Sequence, residues 1–249
     1  MQLLRDLRDL LALLTSLPLG GGSLEGAARA FRYVPLVGLL EGALVSLLLF
    51  LRLPPELFAS LFLLSHVLVT GGIHLDGLAD YSDVLGSRRR GEAALAVLKD
   101  PRKGAFGTLG LVLWAAAGFS SGLLLQELFS HRPSVALSAL LMSYVLAAES
   151  MYVTLLYSRE EPYEGMAKAF SEEARRGGLR ANLLPLAVAL ALPALLFPLV
   201  LLLVPTALLL SILIAKDAEE RLGFANGDVA GFAYELVRLS CLLLALLLV

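Results

Sequence analysis

Long apolar runs separated by short polar connections dominate the chain. Seven of these runs are long enough to cross a hydrocarbon core of about 30 Å as helices. They cover residues 34–53, 57–75, 106–128, 135–157, 183–204, 205–222 and 229–249. The pattern therefore predicts an all-α polytopic membrane protein with about seven transmembrane helices, forming a single integral-membrane catalytic domain over residues 1–249.

The boundary between the fifth and sixth runs is the least defined, because residues 183–215 form one apolar stretch that only prolines divide. Proline removes a helical hydrogen bond and restricts the residue before it. We therefore place the break at Pro205. A single kinked helix is the alternative.

The first 14 residues follow a different pattern. Leucines recur at helical spacing, at positions 3, 4, 7, 10, 11 and 14. This stripe predicts an N-terminal amphipathic helix lying in the membrane interface. Charged residues interrupt the leucines where the apolar core of a signal peptide would be, so cleavage is not expected.

The distribution of basic residues tests this arrangement independently. All but three of the 20 Lys and Arg residues fall on one side of the seven spans. The exceptions are Arg52 and Arg132 on the other side and Arg238 within the last span. Because basic loops face the cytoplasm, we expect a multi-pass protein of the cell (cytoplasmic, inner) membrane with its large polar loops in the cytoplasm.

Composition excludes several classes of function and cofactor. The chain is 58% hydrophobic and carries a net charge of −2. A nucleic-acid-binding surface would need a strong excess of positive charge, so no nucleic acid is expected as a partner. Cys241 is the single cysteine, which excludes an intrachain disulfide and a cysteine-ligated iron–sulfur cluster.

Three carboxylates follow the second apolar run, at Asp76, Asp80 and Asp83. The spacing i, i+4, i+7 places them along one edge of a helix, where like charges repel each other. A divalent cation would turn this repulsion into coordination by hard oxygen ligands. The alternative is a solvated acidic helix end.

A basic cluster in the same loop favours the metal hypothesis. Lys99, Arg102 and Lys103 stand beside Asp100 and Gly104 just before the third span. Arginine offers a planar fork to phosphate oxygens and lysine a mobile charge. Together with Mg²⁺ they could clamp a pyrophosphate during phosphoryl transfer.

Carboxylates also occur inside the spans, where they are costly and face a cavity or a partner. Glu235 has Arg238 one turn away and is interpreted as half of a structural ion pair. Glu41 and Glu149 have no local partner, and the sequence leaves open whether they line the site.

Two further residues are candidates for the site. Asp228 opens the seventh span beside Gly227 and is the best additional site acid. His74, two residues before Asp76, either contacts a phosphate or is an ordinary interfacial histidine.

Three segments together resemble the signature of the cobalamin synthase family, the adenosylcobinamide-GDP ribazoletransferases. They are TGGIHLDGLADYSD (residues 70–83), KDPRKGAFG (99–107) and NGDVAG (226–231). The resemblance implies a polytopic, Mg²⁺-dependent transferase of the last steps of cobalamin biosynthesis. Such an enzyme joins adenosylcobinamide-GDP to α-ribazole or its 5′-phosphate, releases GMP and yields adenosylcobalamin or its 5′-phosphate.

The resemblance and the residue chemistry together give a set of expected roles. The metal ligands would be Asp76, Asp80 and Asp83. The substrate-binding residues would be His74, Lys99, Asp100, Arg102, Gly104 and Gly227. Which acid accepts a proton is open, and the two candidates are Asp83 and Asp228.

Two other functions compete with this interpretation. A CDP-alcohol phosphotransferase performs the same type of displacement at a membrane face, but its motif has arginine after the alanine, where Asp80 follows Ala79 here. An ion-coupled transporter would explain the acids inside the spans, but not the dense charge cluster in the loops. The sequence leaves open the choice between α-ribazole and its phosphate, the preferred lower base, and whether the chain forms a homo-oligomer.

Overall fold

A computed structural model of the chain describes residues 1–248. Every regular element in that range is helical, which confirms the predicted all-α class. The α-helices of the described residues are α1 (Gln2–Leu14), α2 (Leu24–Ala30), α3 (Val34–Ser46), α4 (Pro55–Thr70), α5 (Ile73–Ser87), α6 (Glu92–Leu98), α7 (Ala105–His131), α8 (Pro133–Tyr157), α9 (Met166–Leu196), α10 (Leu203–Leu222) and α11 (Gly227–Leu247).

Six helical stretches in this part of the chain are long and apolar enough to cross a bilayer. They are Leu24–Leu51, Ala105–His131, Pro133–Tyr157, Met166–Leu196, Pro198–Leu222 and Gly227–Leu247. The pair α4–α5 passes the same test jointly and adds a seventh crossing if the pair spans once. The chain is therefore a multi-pass membrane protein, as predicted.

Helix α8 forms the centre of the bundle. Nearly all of its length is buried, and it packs against α3, α9, α10 and α11. Helix α3 approaches it through Gly38 and Gly42, where added Cβ atoms would meet the backbone and side chain of Tyr144. Small residues four positions apart allow membrane helices to come this close, so α3 and α8 contact each other along their backbones.

The predicted second span is two helices rather than one. Helix α4 ends at Thr70, and Gly71 and Gly72 both adopt the left-handed conformation, with φ of 66° and 70°. Two successive residues in this region favour glycine, because a Cβ would be strained there. Helix α5 consequently leaves at 98° to α4 and carries the three carboxylates across the end of the bundle.

The predicted break at Pro205 between the fifth and sixth spans is wrong. Helix α9 ends at Leu196, Phe197 is extended, and a 3₁₀ turn follows at Pro198–Leu202. Proline disfavours the helical conformation in the residue before it, so the chain turns at Phe197. Pro205 lies in the first turn of α10, where its missing N–H has no helical partner to lose.

Helix α1 is amphipathic, but its buried face is not made of leucines alone. Asp6 accepts a 2.8 Å hydrogen bond from the Arg29 guanidinium, and Asp9 accepts one of 2.9 Å from the Ser23 hydroxyl. The Arg29 guanidinium holds the pKa of Asp6 below its usual value. The helix thus docks on α2 through charged contacts, while the exposed Leu3 and Leu4 are available to a membrane surface.

The topology predicts opposite labelling from the two faces of the membrane. Single cysteines replacing Glu56 and His131 should react with an impermeant maleimide from one face, and those replacing Ser87 and Glu172 from the other. The native Cys241 is buried and gives little background. If Glu56→Cys and Ser87→Cys react from the same face, α4 and α5 form a re-entrant loop and the single-crossing topology is wrong.

Candidate functional site

Asp76 and Asp80 project from one edge of α5 onto a single ammonium group. Lys103 Nζ lies 2.6 Å from Asp76 Oδ1 and 2.5 Å from Asp80 Oδ1. Partial burial lowers the pKa of Lys103, but the hydrogen bonds to the two carboxylates outweigh this effect, so its pKa lies above the usual value. A full positive charge therefore sits between two acids that would otherwise repel each other.

Asp83 has a different environment from the other two aspartates. Its two carboxylate oxygens accept hydrogen bonds from the backbone N–H groups of Gly104, at 2.7 Å, and Gly107, at 2.8 Å. These groups belong to the first turn of α7, whose positive dipole end favours a carboxylate. Added Cβ atoms at both glycines would collide with Asp83. Asp83 therefore ties α5 to the start of α7.

The loop between α6 and α7 is stiffened by Asp100. The Arg102 side chain donates to both carboxylate oxygens, at 3.0 and 2.9 Å, and its backbone N–H donates to Oδ1 at 3.0 Å. These hydrogen bonds lower the pKa of Asp100 to about 2, so the pair is fully charged at neutral pH. The Arg102 side chain is 87% exposed, which leaves it accessible to a ligand.

Lys99 lies apart from this arrangement. Its ammonium is 4.2 Å from the ring centroid of Tyr163, a cation–π contact with the loop between α8 and α9. Among the basic residues of the loop, Lys103 rather than Lys99 contacts the aspartates. Sequence reasoning placed Lys103 in the cluster but did not assign it this contact.

Asp228 is brought to the aspartates by close packing between α5 and α11. A Cβ at Gly77 would lie 2.5 Å from the Asp228 carbonyl oxygen, and one at Gly231 would lie 3.2 Å from His74 Cα. Asn226 caps α11 by accepting from Val229 N–H and donates to the Asp228 carboxylate. Asp228 lies within electrostatic range of Asp76, Asp80 and Lys103.

Glu161 was not predicted and lies close to the site. Burial raises its pKa, the negative charge of Asp228 raises it further, and Lys99 opposes both effects. Its loop contains several acids at no regular spacing, so the pattern alone gave no signal for this one residue.

A buried polar network lies below the site, inside the bundle. Glu235 accepts hydrogen bonds from Trp114 Nε1, at 2.8 Å, and from Arg238 Nη2, at 3.0 Å, and it contacts His66 Nε2 at 2.8 Å. His66 Nδ1 lies 2.9 Å from the Tyr144 hydroxyl. The predicted pairing of Glu235 with Arg238 is confirmed. Its extension to His66, Trp114 and Tyr144 was missed, although each is a polar residue within an apolar run.

The two acids inside the spans that have no local partner in the sequence are also enclosed by protein. Glu41 accepts a 2.6 Å hydrogen bond from the Tyr234 hydroxyl. Glu149 is buried beside Asn182, and its Oε2 has no hydrogen-bond partner among the described residues. Glu41 is thus paired with a side chain of α11, and Glu149 lies at the α8–α9 contact.

Two cavities adjoin the acids, one at each end of α5. The charged cavity, about 360 Å³, lies at the C-terminal end beside Asp83, Ser87, Arg89 and Arg102. The apolar cavity, about 180 Å³, lies at the N-terminal end beside His74 and Asp228. A larger open cavity of about 980 Å³ is lined by Arg52 and His131 and contains none of the predicted site residues.

The residues present fit a magnesium ion held by two protein ligands. Mg²⁺ is usually bound by one or two carboxylates together with water and substrate phosphates. Asp76 and Asp80 meet this need, and the Lys103 ammonium marks the point where their charges converge. Within residues 1–248, no three acidic, histidine or cysteine side chains form a ready-made metal site, so the predicted triad with Asp83 stays a prediction.

Comparison with known proteins gives consistent matches. The sequence profile of the family described as cobalamin-5-phosphate synthase matches residues 6–246. A Halorubrum lacusprofundi protein named adenosylcobinamide-GDP ribazoletransferase is 34% identical, over 96% of both chains. A Pseudomonas syringae protein of the same name is 36% identical, over 96% of this chain and 97% of its own. No solved structure matches significantly.

The bonding of Asp83 predicts a mainly structural effect of its replacement. Asp83→Asn leaves one acceptor oxygen for two N–H groups, and we expect the free energy of unfolding to fall by about 1–2 kcal/mol. Thermal melting in detergent measures this change. The control is Asp76→Asn on the same helix, where an exposed ion pair is lost at a cost below about 1 kcal/mol. Equal melting temperatures for the two variants would contradict the role assigned to Asp83.

Proposed function

The chain belongs to the cobalamin-5-phosphate synthase family, and on that premise we propose that it is an adenosylcobinamide-GDP ribazoletransferase that requires Mg²⁺. It joins adenosylcobinamide-GDP to α-ribazole or its 5′-phosphate and releases GMP. The observation that carries the proposal is the contact of both Asp76 and Asp80 with the Lys103 ammonium. This contact lies at the charged end of the membrane bundle, which is the end that holds Asp76, Lys103 and Asp228.

The reaction is a displacement at phosphorus. A ribose hydroxyl oxygen forms a bond to the phosphorus attached to cobinamide, and the bond from that phosphorus to the bridging oxygen breaks. GMP leaves with the bridging oxygen, and the hydroxyl proton passes to a protein base. The product is a phosphodiester between cobinamide and the ribazole ribose.

Asp76 and Asp80 would hold the magnesium ion in this proposal. When bound, Mg²⁺ neutralises the charge that develops on the pyrophosphate oxygens. Lys103 would then be released from the two carboxylates, and its flexible side chain could follow the phosphate. Lys103 thereby takes the phosphate-binding role that the sequence suggested for Lys99, which is engaged with Tyr163.

We assign proton acceptance to Asp228 rather than to Asp83. Both oxygens of Asp83 already accept backbone hydrogen bonds, and hydrogen bonds to a carboxylate weaken it as a base. Asp228 is half-buried beside the aspartate pair, with one hydrogen bond from Asn226. Asp83 is a positioning residue that fixes Gly104 and the start of α7.

The leaving nucleotide fits the charged cavity. Arg102 is held in place by Asp100, and Arg89 lines the same cavity beside the start of α7. Guanidinium groups bind phosphate oxygens in a bidentate manner. Arg89 belongs to the basic triplet at residues 88–90, which follows α5.

The proposed setting is the cell membrane, with the charged end in the cytoplasm. The basic residues support this orientation, because nearly all of them fall at the same end as the site. A nucleotide-linked substrate would reach the aspartates from that side.

Product formation tests the proposed function. The purified chain, given adenosylcobinamide-GDP, α-ribazole and Mg²⁺, should release one GMP for each corrinoid joined, and EDTA should stop the reaction. Asp80→Asn should lower kcat at least roughly a hundredfold, because charge stabilisation in the transition state is lost. The control is Glu127→Gln, which also replaces a carboxylate by an amide but lies beside the open cavity lined by Arg52 and His131, away from the candidate site.

Two results would contradict the function. Release of CMP from a CDP-alcohol in place of GMP would identify a CDP-alcohol phosphotransferase. Counterflow uptake of a solute by vesicles, without bond chemistry, would identify a transporter.

The position of Lys103 predicts competition with the metal. Lys103→Met removes the competing ammonium, so Mn²⁺ affinity measured by EPR titration should rise about fivefold, the equivalent of about 1 kcal/mol for a surface ion pair. Turnover should fall at the same time, because the phosphate loses a cation.

The matched variant is Arg102→Met, which removes the same charge from a side chain of the same loop that pairs with Asp100 instead of with Asp76 and Asp80. Its Mn²⁺ affinity should stay within twofold of the parent value, and Asp80→Asn should weaken binding. Unchanged Mn²⁺ affinity in Lys103→Met would mean that the metal does not take the position of the lysine.

A further inference from the structure

The apolar cavity is built by the ends of several helices at the charged end. It lies between α5, α8, α9 and α11 and the segment that precedes α3, and its apolar walls include Phe31, Met151 and Phe170. The two polar side chains that line it are His74 and Asp228. An apolar pocket with a few polar groups is the usual form of a small-molecule site.

The volume of the cavity limits what it can hold. A cavity of about 150 Å³ lined by apolar side chains accepts a benzene ring. At about 180 Å³, the apolar cavity suits a small aromatic ring system and is far too small for a corrin macrocycle. Guanine and adenine in adenosylcobinamide-GDP are of similar size to the aromatic base of ribazole. Guanine leaves with GMP, which we assign to the charged cavity, and adenine is carried on the corrinoid, so the ribazole base is the aromatic group left for this cavity.

His74 lines this cavity and carries an unsatisfied polar atom that is enclosed by protein, so a ligand in the cavity reaches this atom when the imidazole ring turns toward it. Its side chain is buried, and its ring stacks on Tyr234 with centroids 4.0 Å apart. Nε2 has no hydrogen-bond partner among the described residues. A buried polar atom without a partner costs free energy, and a ligand that supplies the partner recovers it.

The base of α-ribazole supplies such a partner. It is a benzimidazole in which one ring nitrogen carries the ribose and the other is free to accept a hydrogen bond. Neutral histidine can carry its proton on Nε2 and donate it. The dimensions and the polarity of the base therefore match the cavity and its histidine.

The location of the cavity also suits the incoming substrate. His74 and Ser87 are about 20 Å apart along α5, because a helix rises about 1.5 Å per residue. Asp76 and Asp80 lie between them, with the apolar cavity at one end and the charged cavity at the other. A nucleophile that enters from one end and a leaving group that departs at the other satisfy the in-line geometry of phosphoryl transfer.

We propose that the apolar cavity binds the benzimidazole base of the ribazole nucleoside, with His74 Nε2 donating to its free ring nitrogen. The inference rests on the proposed function and adds to it the place and the orientation of the nucleophilic substrate. With the base in the cavity, the ribose projects past Asp228 toward the aspartate pair. His74 is then a specificity residue for the base rather than a phosphate ligand.

Direct binding of α-ribazole to the purified full chain in detergent tests the proposal without turnover. Ala167→Phe fills the cavity and should weaken α-ribazole binding, measured by calorimetry, at least tenfold. Ala116→Phe, on the exposed face of α7, is the matched control and should bind as the parent does. Free 5,6-dimethylbenzimidazole should compete with α-ribazole, and ribose 5-phosphate should not.

Two further variants distinguish a filled cavity from a misfolded protein. Gly227→Leu adds a side chain at the cavity where no atom lies within 4 Å of the Cβ position, so the fold should tolerate it while ribazole binding falls. His74→Phe keeps the stacking on Tyr234 and removes the nitrogen. It should raise KM for α-ribazole about five- to tenfold and leave kcat and KM for adenosylcobinamide-GDP within twofold.

The outcomes separate this inference from the proposed function. If Ala167→Phe and Gly227→Leu both bind α-ribazole like the parent protein, the cavity assignment is wrong even when turnover is normal. If they lose affinity for adenosylcobinamide-GDP instead, the cavity serves the other substrate and the assignment is again wrong. If the parent protein binds α-ribazole in the cavity but releases no GMP, the proposed reaction fails and the binding site stands.

Discussion

The charge of Glu235 inside the bundle is the constraint on which the rest of the arrangement depends. The Glu235 side chain is fully buried, and a carboxylate in the apolar interior must be satisfied by protein groups. Glu235 on α11 meets this need with His66 from α4, Trp114 from α7 and Arg238 from its own helix. Removing one member of a buried ion pair typically costs about 3–5 kcal/mol. The network therefore fixes the depth and rotation of α11 relative to two other helices.

The position of α11 in turn determines where the carboxylates of the candidate site meet. Asp228 is two helical turns before Glu235 on the same helix, so its height is set by the buried network. The close contact of Gly77 with the Asp228 backbone then places α5, and with it Asp76 and Asp80. Asp83 extends the chain of contacts to the start of α7 and to the loop that carries Lys103. The need to satisfy the buried Glu235 thus fixes the positions of Asp76, Asp80 and Asp228 at the charged end of the bundle.

Sequence patterns predicted those features that depend on local periodicity. The membrane-spanning character follows from the length of the apolar runs. The common edge of Asp76 and Asp80 and the pairing of Glu235 with Arg238 follow from helical spacing within single elements. The predicted second span is two helices, because the bend at Gly71 and Gly72 separates α4 from α5. Contacts between elements were not accessible in this way. Nothing in the spacing distinguishes Lys103 from Lys99, and the partner of each depends on how the loop folds back over α5. The break at Phe197 was missed because four prolines lie within one apolar stretch, and packing decides at which of them the chain turns.

The lysine between the aspartates explains how the acid pair can exist before a metal or substrate binds. Two carboxylates at i and i+4 on a partly buried helix would repel each other, and α5 is already separated from α4 by a sharp bend. The Lys103 ammonium removes this repulsion and holds the loop before α7 against α5. In the proposed function, a magnesium ion would displace the ammonium from the two carboxylates, and a bound phosphate would receive the displaced lysine. Metal and nucleotide substrate would therefore bind cooperatively, with Lys103 as the group through which each senses the other.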